Sequence, residues 1–171
     1  MRNHTGASAG ESLVNSIVTA LGRLRIQPEV TRSDKGKVQA LRWSGRLLLF
    51  DKKPRFVSKS IDSILLKSAD RTTSPQELIE RRDCYLACGE LKGGIDPAGA
   101  DEHWKTANSA LGRIREIFPG NTVSLFFVGA AIESSMAEEI FAQLGDGRLS
   151  FAANATVPAQ LASLTDWLVQ L

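Results

Sequence analysis

A length of 171 residues sets one domain as the expected organisation, and a 43% apolar composition is enough for a full core. Charged residues at 23% exclude global disorder, and no apolar run is long enough for a transmembrane helix. The polar start, residues 1–8, excludes a secretory leader, and Cys84 and Cys88 are too few for a disulfide scaffold, so a reducing, cytoplasmic setting is expected. The net charge of +2 hides an uneven distribution. Residues 23–92 carry sixteen Lys and Arg against nine Asp and Glu, whereas residues 93–171 carry four against nine. A basic half beside an acidic half points to a face that meets a polyanion, with an unevenly solvated surface as the plain alternative.

In chain order, a first helix is expected over 8–22. Ser8 and Glu11 have capping-box spacing, Leu13, Ile17, Ala20 and Leu21 form an apolar stripe, and Gly22 closes it. From 27 to 66 the pattern is strand-like, with 38–43 and 46–50 joined by a Ser44-Gly45 hairpin turn, and 56–66 ending in an apolar run. Ser74-Pro75-Gln76-Glu77 opens a short helix to about residue 82. Residues 84–91 read as a buried strand and 93–99 as a loop. A helix follows over 101–118, with Trp104, Ala107, Leu111, Ile114 and Phe118 on its apolar face. Residues 122–132 read as a central strand, 135–144 as a helix, 149–153 as an edge strand and 156–171 as a last helix. This order implies an α/β fold, a mixed central β-sheet flanked by helices.

The chemistry concentrates at the end of the 84–91 strand. Alternation places Cys84, Leu86, Cys88, Glu90 and Lys92 on one face, so a carboxylate and an ammonium stand together at the rim of a core. Such a pair can hold a divalent cation and orient a water, or can be a plain salt bridge. Asp62, 28 residues upstream of Glu90, is a second carboxylate at a strand end. Two carboxylates from adjacent strands make an oxygen site of the kind Mg²⁺ prefers. Asp51 is a rival carboxylate, placed in a turn. His103 falls in the first turn of the following helix, near a positive helix end. Cys84, Cys88 and His103 lack a fourth ligand for zinc and read better as core and helix residues. Glu11 is explained by its cap, and Trp43 and Trp104 by packing.

The segment Gly89-Glu90-Leu91-Lys92-Gly93-Gly94-Ile95-Asp96-Pro97-Ala98-Gly99-Ala100-Asp101-Glu102-His103-Trp104 resembles the catalytic segment of the AvaI/BsoBI type II restriction endonucleases. That family belongs to the wider nuclease group marked by a carboxylate followed by Glu-x-Lys. The resemblance is strong over about 62–115 and loose elsewhere. It implies a restriction-endonuclease-like core with Asp62 and Glu90 as metal ligands, Lys92 as the catalytic lysine and His103 as an additional histidine near the scissile phosphate. Ile61 stands where the wider group has proline, and the chain is shorter than the family enzymes, which carry further helical parts. The expected function is therefore that of a single nuclease catalytic domain over 1–171: a Mg²⁺-dependent endonuclease acting on double-stranded DNA. It would cut at a short palindrome as a homodimer, leaving 5′-phosphates. A catalytically silent DNA-binding module and a non-specific repair nuclease are the alternatives. Candidate DNA contacts are Lys59, Lys67, Arg71 and Arg81 in the basic half, with Asp96 and Lys105 flanking His103. Lys52, Lys53, Arg55 and Arg82 are further basic candidates.

Overall fold

The computed structural model describes residues 4–171, so residues 1–3 of the polar start lie outside it. The elements in order are α1 (His4–Arg23), β1 (Glu29–Arg32), β2 (Val38–Trp43), β3 (Arg46–Lys52) and β4 (Ile61–Lys67). Then come α2 (Pro75–Leu78), β5 (Tyr85–Lys92), α3 (Pro97–Ile117), β6 (Ser124–Gly129), α4 (Ser134–Gly145), β7 (Phe151–Asn154) and α5 (Pro158–Gln170). The seven strands form one sheet in chain order. β1 through β5 pair antiparallel, whereas β5, β6 and β7 pair parallel across the α3 and α4 crossovers. The mixed sheet flanked by helices matches the fold class read from the sequence.

Both faces of the sheet are covered. Trp104, Ala107, Leu111 and Ile114 of α3 and Met136 and Ile140 of α4 pack on one face with Leu47, Leu49, Ile64, Leu66 and Cys88. Leu13, Ile17 and Leu21 of α1 and Leu161, Leu164 and Leu168 of α5 pack on the other with Leu48, Leu65, Ala87 and Phe126. Two-sided cover explains why Leu47–Phe50 and Ile64–Leu66 read as continuous apolar runs rather than as clean alternation. The hairpin between β2 and β3 turns at Ser44 and Gly45, with φ of 31° and 74°, the positive values a two-residue turn demands.

Several boundaries differ from the sequence reading. α1 starts at His4, so Ser8 lies within the helix and not at its cap. Glu11 instead pairs with Arg32 at 3.0 Å. β4 is shorter than 56–66 and starts only at Ile61, because 53–60 forms a loop. The helix expected to run to about 82 is a single turn followed by a 3-10 turn at Arg82–Cys84. β6 is buried but second from the sheet edge, with β4 in the middle. The expected face of β5 also needs correction. A bulge in the β4 pairing at Leu65/Leu66 breaks its alternation, so Leu86 packs with the α1/α5 side while Cys84 and Cys88 face α3.

Gly89 sets how closely β5 can approach its neighbours' side chains. A Cβ there would lie 2.2 Å from the Phe126 ring, which is fully buried. Gly89→Ala is therefore expected to overpack the core by about 1–3 kcal/mol and lower Tm by roughly 3–10 °C. Calorimetry checks this, and an unchanged Tm would contradict the packing described.

Candidate active site

Antiparallel pairing brings the start of β4 to the end of β5. Ser63 stands opposite Gly89, so Asp62 comes beside Glu90, and both point to the α3 side of the sheet. Buried Ser63 donates its hydroxyl to the Gly89 carbonyl at 3.2 Å and ties the two strand ends together. Lys92, one pleat beyond Glu90, places its ammonium between the two carboxylates. Its Nζ donates to Glu90 Oε2 at 3.1 Å and to Asp62 Oδ2 at 3.2 Å. The Leu91 amide donates to the same Asp62 oxygen at 2.8 Å, which fixes that carboxylate. The three side chains singled out from Glu-x-Lys and its upstream partner thus form one cluster.

Glu90 is 3% exposed, and its Oε1 is buried with no hydrogen-bond partner. Burial, then the nearby Asp62 charge, pushes its carboxyl up to about 7 despite Lys92. Burial alone would lower the Lys92 ammonium, but Asp62 and Glu90 outweigh it and hold that group above the ordinary lysine value. A buried, unsatisfied carboxylate oxygen beside a second carboxylate is a deficit of positive charge. Asp62 and Glu90 therefore fit a hard divalent cation, an oxygen-donor set of the right kind. No cluster of three or more His, Cys, Asp or Glu side chains occurs among the described residues. A cation held here would take its other ligands from backbone, water or a phosphate.

The Glu90 carboxylate borders a narrow cleft lined by Ser58, Lys59, Ser60 and Arg113. Lys59 was expected near DNA. Arg113 gave no signal in the sequence, because on a helix its basic side chain looks like any solvated one; only the α3 crossing brings it to Glu90. Lys52 and Lys53 lie at the same strand ends, Lys52 opposite Ile61 in the β3–β4 pairing. The loop carrying Lys59 is anchored by Phe56, whose ring meets Tyr85 at 5.7 Å and Phe118 at 6.0 Å, with the Arg82 guanidinium 4.6 Å above it.

His103 sits differently from its expected place. α3 begins at Pro97, capped by Asp96, whose carboxylate accepts from the Ala98 amide at 3.0 Å. Asp-Pro at the cap and first position was the missed signal. His103 is consequently in the second turn, on the exposed side of α3, and not among the first-turn amides. Its imidazole lies against Gly94, two residues beyond Lys92.

The other expected residues are dispersed. Lys67 is at the far end of β4, about 17 Å along the strand from Asp62. Arg71 follows it and pairs with Glu29 at 2.9 Å, while Arg81 precedes β5 and pairs with Asp83 at 3.1 Å. Lys105 pairs with Asp101 at 2.6 Å on the exposed face of α3. Asp51 lies inside β3, exposed, and its carboxylate pairs with Lys37 rather than with Lys92. Cys84 and Cys88 are buried and free.

A mixed sheet that sets one strand-end carboxylate against Glu-x-Lys on its antiparallel neighbour has the restriction-endonuclease-like fold. The comparison with known families is specific. The chain belongs to the family described as restriction endonuclease BsobI, whose model matches residues 27–171. It is 46% identical over 151 residues to the type II restriction enzyme AvaI of Nostoc sp. (strain PCC 7120), covering 85% of this chain and 48% of that protein. It is 38% identical over 194 aligned residues to the type II restriction enzyme BsoBI of Geobacillus stearothermophilus, covering 100% of this chain and 60% of that protein. The chain thus spans about half the length of the curated relatives it matches.

The raised Glu90 carboxyl has a consequence for stability. Folding disfavours its ionisation, so in metal-free buffer the fold loses stability as pH climbs from the usual 4.5 through about 7. Glu90→Gln carries no such charge. Its Tm is expected to exceed that of the natural sequence by roughly 3–6 °C at pH 8, the two converging near pH 5. Equal melting at both pH values would show that Glu90 is not held against its charge.

Proposed function

We propose that residues 1–171 form the catalytic domain of a cytoplasmic type II restriction endonuclease. It hydrolyses double-stranded DNA at a short palindromic site as a homodimer and leaves 5′-phosphates. The observation that carries the reading is the Asp62, Glu90 and Lys92 cluster, with its unsatisfied buried oxygen, in a chain of the BsobI family. A palindrome presents the same bases twice about a two-fold axis, which calls for a two-fold protein.

In this reading Asp62 and Glu90 hold Mg²⁺. When bound, the cation offsets the negative charge that grows on the phosphoryl oxygens during in-line attack. Lys92, anchored by both carboxylates, orients the attacking water and adds a second positive charge beside the phosphate. His103, on the exposed side of α3, takes up the proton that the water releases. The water oxygen forms the new bond to phosphorus, the bond to the 3′ oxygen breaks, and that oxygen leaves as a hydroxyl after taking a proton from a solvent water. Lys59 and Arg113, which line the cleft beside Glu90, and Lys52 and Lys53 at the neighbouring strand end contact flanking phosphates, as counterion-releasing cations do. Asp96 supports the site by starting the helix that carries His103. The DNA contacts first sought at Lys67, Arg71, Arg81 and Lys105 fall to the outer reach of the duplex.

No helix among the described residues is long and apolar enough to cross a membrane. The two free thiols agree with a reducing compartment.

Digestion of a plasmid of known sequence tests the proposal. Discrete fragments with Mg²⁺ and none with Ca²⁺ are expected, and His103→Ala should slow single-turnover cutting by about 10²- to 10⁴-fold with DNA binding retained. A smear would instead indicate a nuclease without sequence preference, and intact DNA a binding module of the same fold.

A further inference from the structure

We infer that Gly94 is a positioning residue: its missing side chain leaves the notch that seats the His103 imidazole and so sets where the ring stands relative to Lys92. The inference rests on the cleavage role proposed for His103. A Cβ on residue 94 would lie 2.7 Å from His103 Nε2 and 3.0 Å from Cδ2, far inside ordinary contact. At Gly99, one helical turn before His103, the same atoms would be at 3.5 and 3.8 Å, which is ordinary contact. The Nε2 edge of the ring therefore fits against Gly94 tightly and against Gly99 loosely.

Both ends of this contact are fixed. Asp96 and Pro97 set the start of α3 and hence the His103 backbone. Gly94 follows Lys92 by two residues, so the two Cα atoms are at most about 7 Å apart. His103 is exposed, so its contact with the Gly94 notch, not core packing, decides which rotamer the ring keeps. The three nearest atoms to an added Cβ all belong to His103, and the Gly94 backbone is not left-handed. Alanine at 94 thus strains no backbone and displaces the ring alone.

The test pairs imidazole proton NMR with single-turnover cleavage in Mg²⁺. The chain has two histidines, so His103→Ala assigns the signals. Gly94→Ala should shift the His103 resonances, whereas Gly99→Ala should leave them in place. Gly94→Ala should also slow cleavage about 10- to 100-fold at saturating DNA, with KM, Tm and Ca²⁺-supported DNA binding unchanged. The double variant Gly94→Ala with His103→Ala should be no slower than His103→Ala alone, because both changes remove the same group. Unmoved resonances in Gly94→Ala would overturn the inference. So would wild-type cleavage by Gly94→Ala when His103→Ala is slow. If the resonances move but both single variants cut at the wild-type rate, the cleavage role of His103 fails and the inference falls with it.

Discussion

The Lys92 ammonium lies 3.1 Å from Glu90 and 3.2 Å from Asp62, and without it two carboxylates would face each other at the edge of a dry core. Everything around the cluster serves that placement. The β4–β5 pairing brings the two carboxylates side by side, Ser63 ties the strand ends, and the Leu91 amide holds the Asp62 oxygen that Lys92 shares. Gly89 lets the large Phe126 ring fill the opposite face of the same strand. One Glu90 oxygen remains buried and unpaired, so the arrangement is not a completed salt bridge. The stability it sacrifices is supplied by a sheet with large apolar side chains on both faces. Buried, perturbed and unsatisfied groups of this kind cluster at functional sites.

The uneven charge along the sequence is only partly offset in space. Arg23 and Arg32 of the basic half pair with Asp166 and Glu11 outside it, whereas Lys37, Arg71 and Arg81 pair with carboxylates of the same half, so most of the excess stays unneutralised by these pairs. The cations nearest the carboxylate cluster are Lys59 and Arg113, which line the cleft beside Glu90, with Lys52 and Lys53 at the neighbouring strand end. The aromatic contacts of Phe56 hold the intervening loop against the sheet, so this positive rim is carried by a packed segment. Proximity to the unsatisfied carboxylate, more than net charge, is what makes this rim the face proposed above for DNA.

Much of this was legible in the sequence, for identifiable reasons. Glu-x-Lys on a regular strand shares a face by alternation, and Asp62 stands at the head of a buried apolar run, the position of a strand-end carboxylate. His103 was noted from its place near a helix start, and the resemblance of residues 89–104 to AvaI and BsoBI enzymes supplied the role proposed for it. The misreadings were local contests between rules. Asp96-Pro97 started α3 earlier than its apolar stripe suggested, moving His103 to the second turn. A bulge reversed Leu86, and a helix extending upstream of Ser8 left Glu11 free to pair with Arg32. Arg113 was illegible because its place beside Glu90 comes from the crossing of α3 over β5, a tertiary fact. Lys67, Arg71 and Arg81 looked equivalent to Lys59 in a charge count, although strand length alone carries Lys67 to the other end of the sheet.

The central claim is that Asp62 and Glu90 together form the seat of a divalent cation. Titration of the protein with Mn²⁺, followed by electron paramagnetic resonance of the free ion, tests it without reliance on cleavage. Glu90→Gln and Asp62→Asn should each weaken binding at least about tenfold. Asp146→Asn, a change to an exposed carboxylate paired with Arg148, should leave it unaltered. Equal Mn²⁺ affinity in the natural sequence and the Glu90→Gln and Asp62→Asn variants would contradict the account.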